Sequence, residues 1–233
     1  MISSSELKRQ ARNQLRGRWG LAIGGFFLAV FFFPSIIYII SFFTSGFLPL
    51  KIITYLLTII VPFILIVGTL KFSLNYATTS KTPFLDDIFS GFKVTVKALL
   101  IYIIMVACIT LGLVLLIVPG IIVSLMLSQS LYILIDDNSK SVIDCLKESV
   151  NMMKNHKVDC FVLSLSFLGW FILMIFPIFL LAYFPLPIYL GLIYLLLLFI
   201  GFLWLITYMN VTFALFHLKI KDDYDDVTEN KML

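Results

Sequence analysis

Few residues in this chain could carry metal, acid–base or nucleophilic chemistry. There are 2 histidines and 3 cysteines in 233 residues. His156 and His217 stand far apart, and neither has a ligand at the spacing of His-Glu-x-x-His. Asp86-Asp87 and Asp136-Asp137 could pair carboxylates on a cation. Each pair also sits where a loop meets a helix, and acids near a helix N-terminus are ordinary dipole partners. Asp222, Asp223, Asp225 and Asp226 lack the turn glycine and ligand spacing of a calcium loop. Cys108, Cys145 and Cys160 are odd in number and irregular in spacing, which argues against a disulfide framework. They read as small, buried, reduced apolar residues. The expectation is a protein that is not an enzyme and holds no cofactor or metal.

Side-chain amides are a subtler signal. Asn75, Gln129 and Asn210 lie among apolar residues, each near a tyrosine: Tyr76, Tyr132 and Tyr208. An amide facing lipid is costly, so each should turn inward. Two arrangements follow. The three could converge on a small polar site, suited to a headgroup, or each could bond a neighbouring backbone separately.

The elements that position these groups follow from composition. The chain is 61% hydrophobic and 13% charged, against roughly 45–50% and 25% for a soluble domain. Lipid must therefore solvate much of it, and the fold class expected is an all-α membrane protein. Six apolar runs are long enough to be spans: Trp19 to Phe43, Ile52 to Asn75, Ala98 to Val118, Ile121 to Ile135, Val158 to Ala182 and Ile188 to Phe216. Pro119-Gly120 is the turn expected between the third and fourth, and Pro185 with Pro187 between the last two. The fourth run is short for a crossing. Basic residues 1–18 followed by an apolar run mimic a signal peptide, but the run continues to Phe43 and no small-x-small cleavage site follows. It is read as an uncleaved first span. Gly20 and Gly24 form a Gly-x-x-x-Gly pair there, extended by Gly25 and Ala29, and such a stripe predicts close helix packing.

Charge sets the expected orientation. Every Lys and Arg except Lys51 lies in segments 1–18, 71–97, 136–157 or the tail from His217. The positive-inside rule then places both termini in the cytoplasm. The basic residues flank apolar runs instead of forming one soluble patch, so a nucleic-acid partner is not expected. Apart from Lys71 near the end of the second and Asp159 at the entry of the fifth, the six runs contain no Asp, Glu, Lys, Arg or His. Ion-coupled transport uses such groups at bilayer depth and is disfavoured.

Three polar segments carry helical stripes. Residues 3–16 align Leu7, Ala11 and Leu15, with Ser3 and Glu6 at capping-box spacing. Lys8, Arg9, Arg12 and Arg16 beside that stripe are candidate contacts for anionic lipid. Residues 82–92 open with Thr82-Pro83 and align Phe84, Leu85, Ile88, Phe89 and Phe92. Residues 141–154 align Val142, Cys145, Leu146, Ser149, Val150 and Met153. Each stripe could lie on the inner membrane interface or pack on the protein's own helices. Each segment precedes two spans, which suggests three copies of a helix-plus-hairpin unit. The acidic tail 217–233 shows no stripe and is expected to be disordered.

Three stretches together carry a family resemblance: Glu6-Leu-Lys-Arg-Gln-Ala-Arg-Asn-Gln-Leu-Arg-Gly-Arg-Trp-Gly20, Lys147-Glu-Ser-Val-Asn-Met-Met-Lys-Asn-His-Lys157 and Leu163-Ser-Leu-Ser-Phe-Leu-Gly-Trp170. In order and spacing they resemble the bacterial multi-pass family known as domain of unknown function 975, over nearly the whole chain. The family's Pro-Tyr and Phe-Tyr in the last helix are Thr207-Tyr208 and Phe216-His217 here. The resemblance implies an integral membrane protein of the bacterial cytoplasmic membrane and no assigned active site. The expected role is a scaffold, accessory or immunity-type factor acting through membrane partners. The alternative is a passive transporter or lipid-handling protein, which a polar cavity at mid-bilayer would favour.

Overall fold

In lipid no water is available to backbone N–H and C=O groups, so apolar runs of this length must become helices. The computed structural model describes residues 2–44, 46, 48–78, 83–183 and 187–232, with 177–183, 188 and 229–232 as backbone only. All its regular elements are helical. Six are long and apolar enough to cross a membrane: Trp19–Phe43, Leu48–Ala77, Thr95–Leu115, Ile117–Asp136, Lys157–Phe176 and Tyr189–Thr228. The chain is a multi-pass membrane protein. Three further helices precede successive hairpins: α1 (Ser4–Leu15), a 3₁₀ helix (Leu85–Lys93) and the Val142–Met152 helix. They and both described termini mark one end of the bundle. It carries all the described Lys and Arg except Lys51 and is called the basic end below.

The elements depart from expectation where local chemistry is decided by packing. Pro119-Gly120 is not the turn. The chain reverses at extended Leu116, and Pro119 falls in the first turn of the next helix, where its missing N–H leaves no hydrogen bond unmade. The hairpin then closes on two glycines, since a Cβ on Gly112 would lie 2.9 Å from the Gly120 Cα. The fourth span is broken: Ile117–Leu127 stops, Ser128 and Gln129 turn, and Ser130–Asp136 resumes. Ahead of Pro34 the first span widens into a π-helical turn at Leu28–Phe32. Of the segment expected at 82–92, Leu85–Lys93 forms a 3₁₀ helix with Phe84 at its cap; Thr82 lies outside the described residues, as does Pro185 of the second expected turn.

Two further expectations are corrected. The tail is not disordered as far as Met232, because the last helix runs unbroken from Ile188 to Met232. At 45 residues and about 1.5 Å each, it is about twice the hydrocarbon thickness, so its C-terminal part projects. Ile220 and His217 are fully buried, and Lys221 pairs with Asp136, which explains why this part holds helical form. The Gly20–Gly24 pair is not a packing seam within the chain: a Cβ on either glycine would meet nothing within 4 Å. The first span instead buries Ala22, Gly25, Phe26 and Ala29, with the Phe26 ring 6.2 Å from Phe72.

Burial is one-sided along the bundle. The second span buries Ile64, Leu65, Val67, Gly68, Thr69 and Phe72–Ala77 near the basic end, but only Thr54 before them. The stretch Phe33–Phe43 buries nothing. In the sixth span burial begins at Leu203. The core therefore sits at the basic end; the other halves of the spans touch, as at Gly112–Gly120 and Thr44–Thr54, but bury few side chains.

Candidate functional site at the basic end

α1 is held by protein on its apolar side. Leu7, Ala11 and Leu15 are buried, and α1 packs mainly on the sixth span. Ser3 stands at the N-cap, yet its hydroxyl pairs with Ser5 and Glu6 takes Gln10, so the capping box does not form. Tyr208 donates to the Lys8 carbonyl at 2.9 Å, and Tyr76 donates to the Arg18 carbonyl at 3.1 Å. Trp19 stacks on Trp204 with centroids 5.4 Å apart. Lys8 corrects the set of lipid contacts. Its ammonium donates to the Ser166 carbonyl at 2.9 Å and lies 4.1 Å from the Phe167 ring centre, and burial lowers its pKa. Arg9, Arg12 and Arg16 remain exposed, with no ion-pair partner among the described residues.

The three amides do not bond one another. Asn75 donates to the Asp87 carboxylate at 2.8 Å, tying the second span to the 3₁₀ helix. Asn210 donates to the Ile206 carbonyl of its own helix at 2.8 Å. Gln129 sits in the break of the fourth span, 1% exposed. Its carbonyl oxygen faces His217 Nδ1 at 3.1 Å, and its NH₂ donates to Ser128 at 2.9 Å. The Gln129 backbone N–H, freed by the break, donates to the Ser149 hydroxyl at 3.2 Å, and Ser149 donates to the Met126 carbonyl at 2.7 Å. Tyr132 stacks on the His217 ring at 5.1 Å. With Gln129 accepting at Nδ1–H, Nε2 is left as a buried atom with no protein partner. The sequence reading placed His217 in a solvated tail and missed this network. The Phe216-His217 pair within an apolar run was the available signal.

His156 also joins separate elements. Nδ1 faces Asp159 at 3.3 Å and Nε2 faces Asp223 on the sixth helix at 3.7 Å. Asp159 also accepts from the Ile2 backbone N–H at 3.2 Å. The two nitrogens address different carboxylates on opposite sides of the ring, which is a bridge between elements and not a shared-metal geometry.

A polar cavity of about 360 Å³ opens between the second span, the 3₁₀ helix and the start of the loop after Asp136. Lys71, Asp86, Asp87, Phe89, Ser90, Lys93, Val94, Ile135 and Asn138 line it. The 3₁₀ helix is pressed onto the second span backbone to backbone: a Cβ on Gly68 would overlap the Ile88 carbonyl, and one on Gly91 the Ile64 carbonyl. Of the apolar stripe foreseen for this segment, only Ile88 is buried, while Phe84, Leu85, Phe89 and Phe92 are exposed. Sequence periodicity could not find the cavity, because Lys71 and Lys93 are brought together by this backbone contact.

No curated protein and no solved structure matches the chain. The sequence model of one family, described as protein of unknown function (DUF975), matches residues 103–223, just over half the chain. The match contains the Lys147–Lys157 and Leu163–Trp170 stretches, while Glu6–Gly20 lies outside it. The chain belongs to the DUF975 family of proteins of unknown function.

Proposed function

We propose that this is a non-enzymatic protein of a bacterial cytoplasmic membrane, with its basic end in the cytoplasm, acting through membrane partners as a scaffold, accessory or immunity-type factor. The observation that carries this reading is the one-sided packing. Near the basic end the spans form a closed core, whereas Phe33–Phe43 buries nothing and Leu48–Phe63 buries only Thr54. Helices associate in lipid by side-chain packing and local hydrogen bonds, so apolar flanks without an internal partner are open to another protein's helices. The charge distribution supports the orientation. The competing reading, passive transport or lipid handling, calls for a polar route through mid-bilayer. Two cavities with polar lining lie instead by Lys71 and by His156, both at the basic end.

The test is affinity purification from native membranes in mild detergent, with photo-crosslinkers placed at Tyr38 and Leu56, which are 71% and 50% exposed. A stoichiometric membrane protein crosslinked at those positions is expected. A partner-free monomer that equilibrates labelled lipid across vesicles would replace this reading with the lipid-handling one.

A further inference from the structure

We infer that the cavity between the second span and the 3₁₀ helix binds the phosphate group of a phospholipid headgroup. The inference is independent of the partner reading above. Lys71 and Lys93 face one cavity of about 360 Å³, and neither has an ion-pair partner among the described residues. The carboxylates that could neutralise them are differently placed. Asp87 is committed, its Oδ2 accepting from Asn75 at 2.8 Å and from the Phe84 backbone N–H at 3.0 Å. Asp136, next to the lining residue Ile135, is bonded to Lys221. Only Asp86 is exposed and without a hydrogen-bonded partner on the cavity wall. The Ser90 hydroxyl, also on the wall, is buried with no hydrogen-bond partner. Two ammonium donors and an orphaned hydroxyl match the oxygens of a phosphate, which accepts several charge-assisted bonds at once.

The surroundings favour a lipid as the source of that phosphate. Phe89 lines the cavity, and its ring also lies 5.6 Å from Phe33 of the first span and 6.4 Å from Phe92. Phe84, Phe89 and Phe92 are 63%, 43% and 51% exposed. An exposed aromatic row beside a lysine-lined pocket places headgroup chemistry at the interface and acyl-chain contacts directly next to it. Free inorganic phosphate would use the lysines and Ser90 but not the aromatic row.

The experiment reads lipid retained by the full chain. The protein is reconstituted in nanodiscs of phosphatidylcholine containing phosphatidylglycerol, extracted into mild detergent, and bound lipid is counted by native mass spectrometry. Lys71→Gln with Lys93→Gln should lower retention about thirtyfold, from the contribution expected of two charges near a membrane surface. Lys71→Arg with Lys93→Arg should restore it, and Lys219→Gln, outside the cavity, should leave it unchanged. Asp86→Asn should raise retention several-fold, which damage to the fold would not do. Inorganic phosphate added during extraction separates the sources. Lipid that persists against it, and that falls with Phe89→Ser, identifies a phospholipid. Equal displacement by phosphate at low millimolar concentration, with no effect of Phe89→Ser, would assign the cavity to a soluble phosphate and overturn the lipid source. Unchanged retention in the double Gln variant, or no gain with Asp86→Asn, would overturn the site.

Discussion

Replacing Gln129 by Leu tests whether the broken fourth span is held by its polar network. Leu is close to Gln in volume, so little cavity is created. What changes is that the Gln129 oxygen facing His217 Nδ1 at 3.1 Å is lost, together with the donor to Ser128 at 2.9 Å. His217 is fully buried and its Nε2 is already without a partner, so the substitution leaves both ring nitrogens unpaired. A buried donor stripped of its acceptor costs about 1–3 kcal/mol in addition to the hydrogen bond's own contribution of about 1. The expected loss is therefore about 2–4 kcal/mol. The second step is His217→Phe in the same chain. Phe keeps the ring that stacks on Tyr132 at 5.1 Å and removes both unpaired nitrogens. Replacing both partners by apolar groups of similar shape is close to neutral, so the double variant should recover about half or more of that loss. Unfolding in mixed micelles with increasing sodium dodecyl sulfate, followed by tryptophan fluorescence, measures all four corners of the cycle. A double variant as unstable as the sum of the two singles would refute the account of this network.

Gly91→Val should abolish the seat of the 3₁₀ helix, because a Cβ there overlaps the Ile64 carbonyl; the readout is loss of folded protein on size exclusion in detergent. By contrast, Gly20→Ala with Gly24→Ala should be tolerated or stabilising by about 1–2 kcal/mol from helix propensity, because an added Cβ at either position would meet no neighbouring element; a melting curve decides. Arg9, Arg12 and Arg16 changed together to Gln should impair insertion orientation and anionic-lipid affinity, whereas Lys8→Gln should lower stability instead, since Lys8 bonds Ser166; impermeant labelling of cysteines placed at Gly46 and Ser139 reads the orientation. Asp137 is held below its ordinary value of 3.8 by hydrogen bonds from the Ser139 side chain and backbone. Its stabilising contribution is present above that value and is lost as pH falls below it, and Ser139→Ala should move the Asp137 titration upward in a carboxyl NMR experiment.

The six spans were legible in the residues alone, because lipid forces any apolar run of about 20 residues into a helix, whatever it packs against. The grouping of Lys and Arg at one end was legible for the same local reason. The stripes of α1 and of Val142–Met152 were visible as periodicity, but whether lipid or protein covers Leu7, Ala11 and Leu15 was not, since both are apolar environments. Tertiary contacts also decided the glycines. Gly20 and Gly24 have the more suggestive spacing, yet Gly25, Gly68 and Gly91 meet a neighbour, because a helix face acquires its partner only from the packing of the whole bundle. The polar pairings were furthest from view. Gln129 meets His217 across 88 positions and Tyr208 meets Lys8 across 200. Lys71 and Lys93 share a cavity because two helices touch backbone to backbone. An apolar run is recognised one residue at a time by its solvent, whereas a hydrogen bond or a cavity belongs to a pair of surfaces and exists only once the chain has folded.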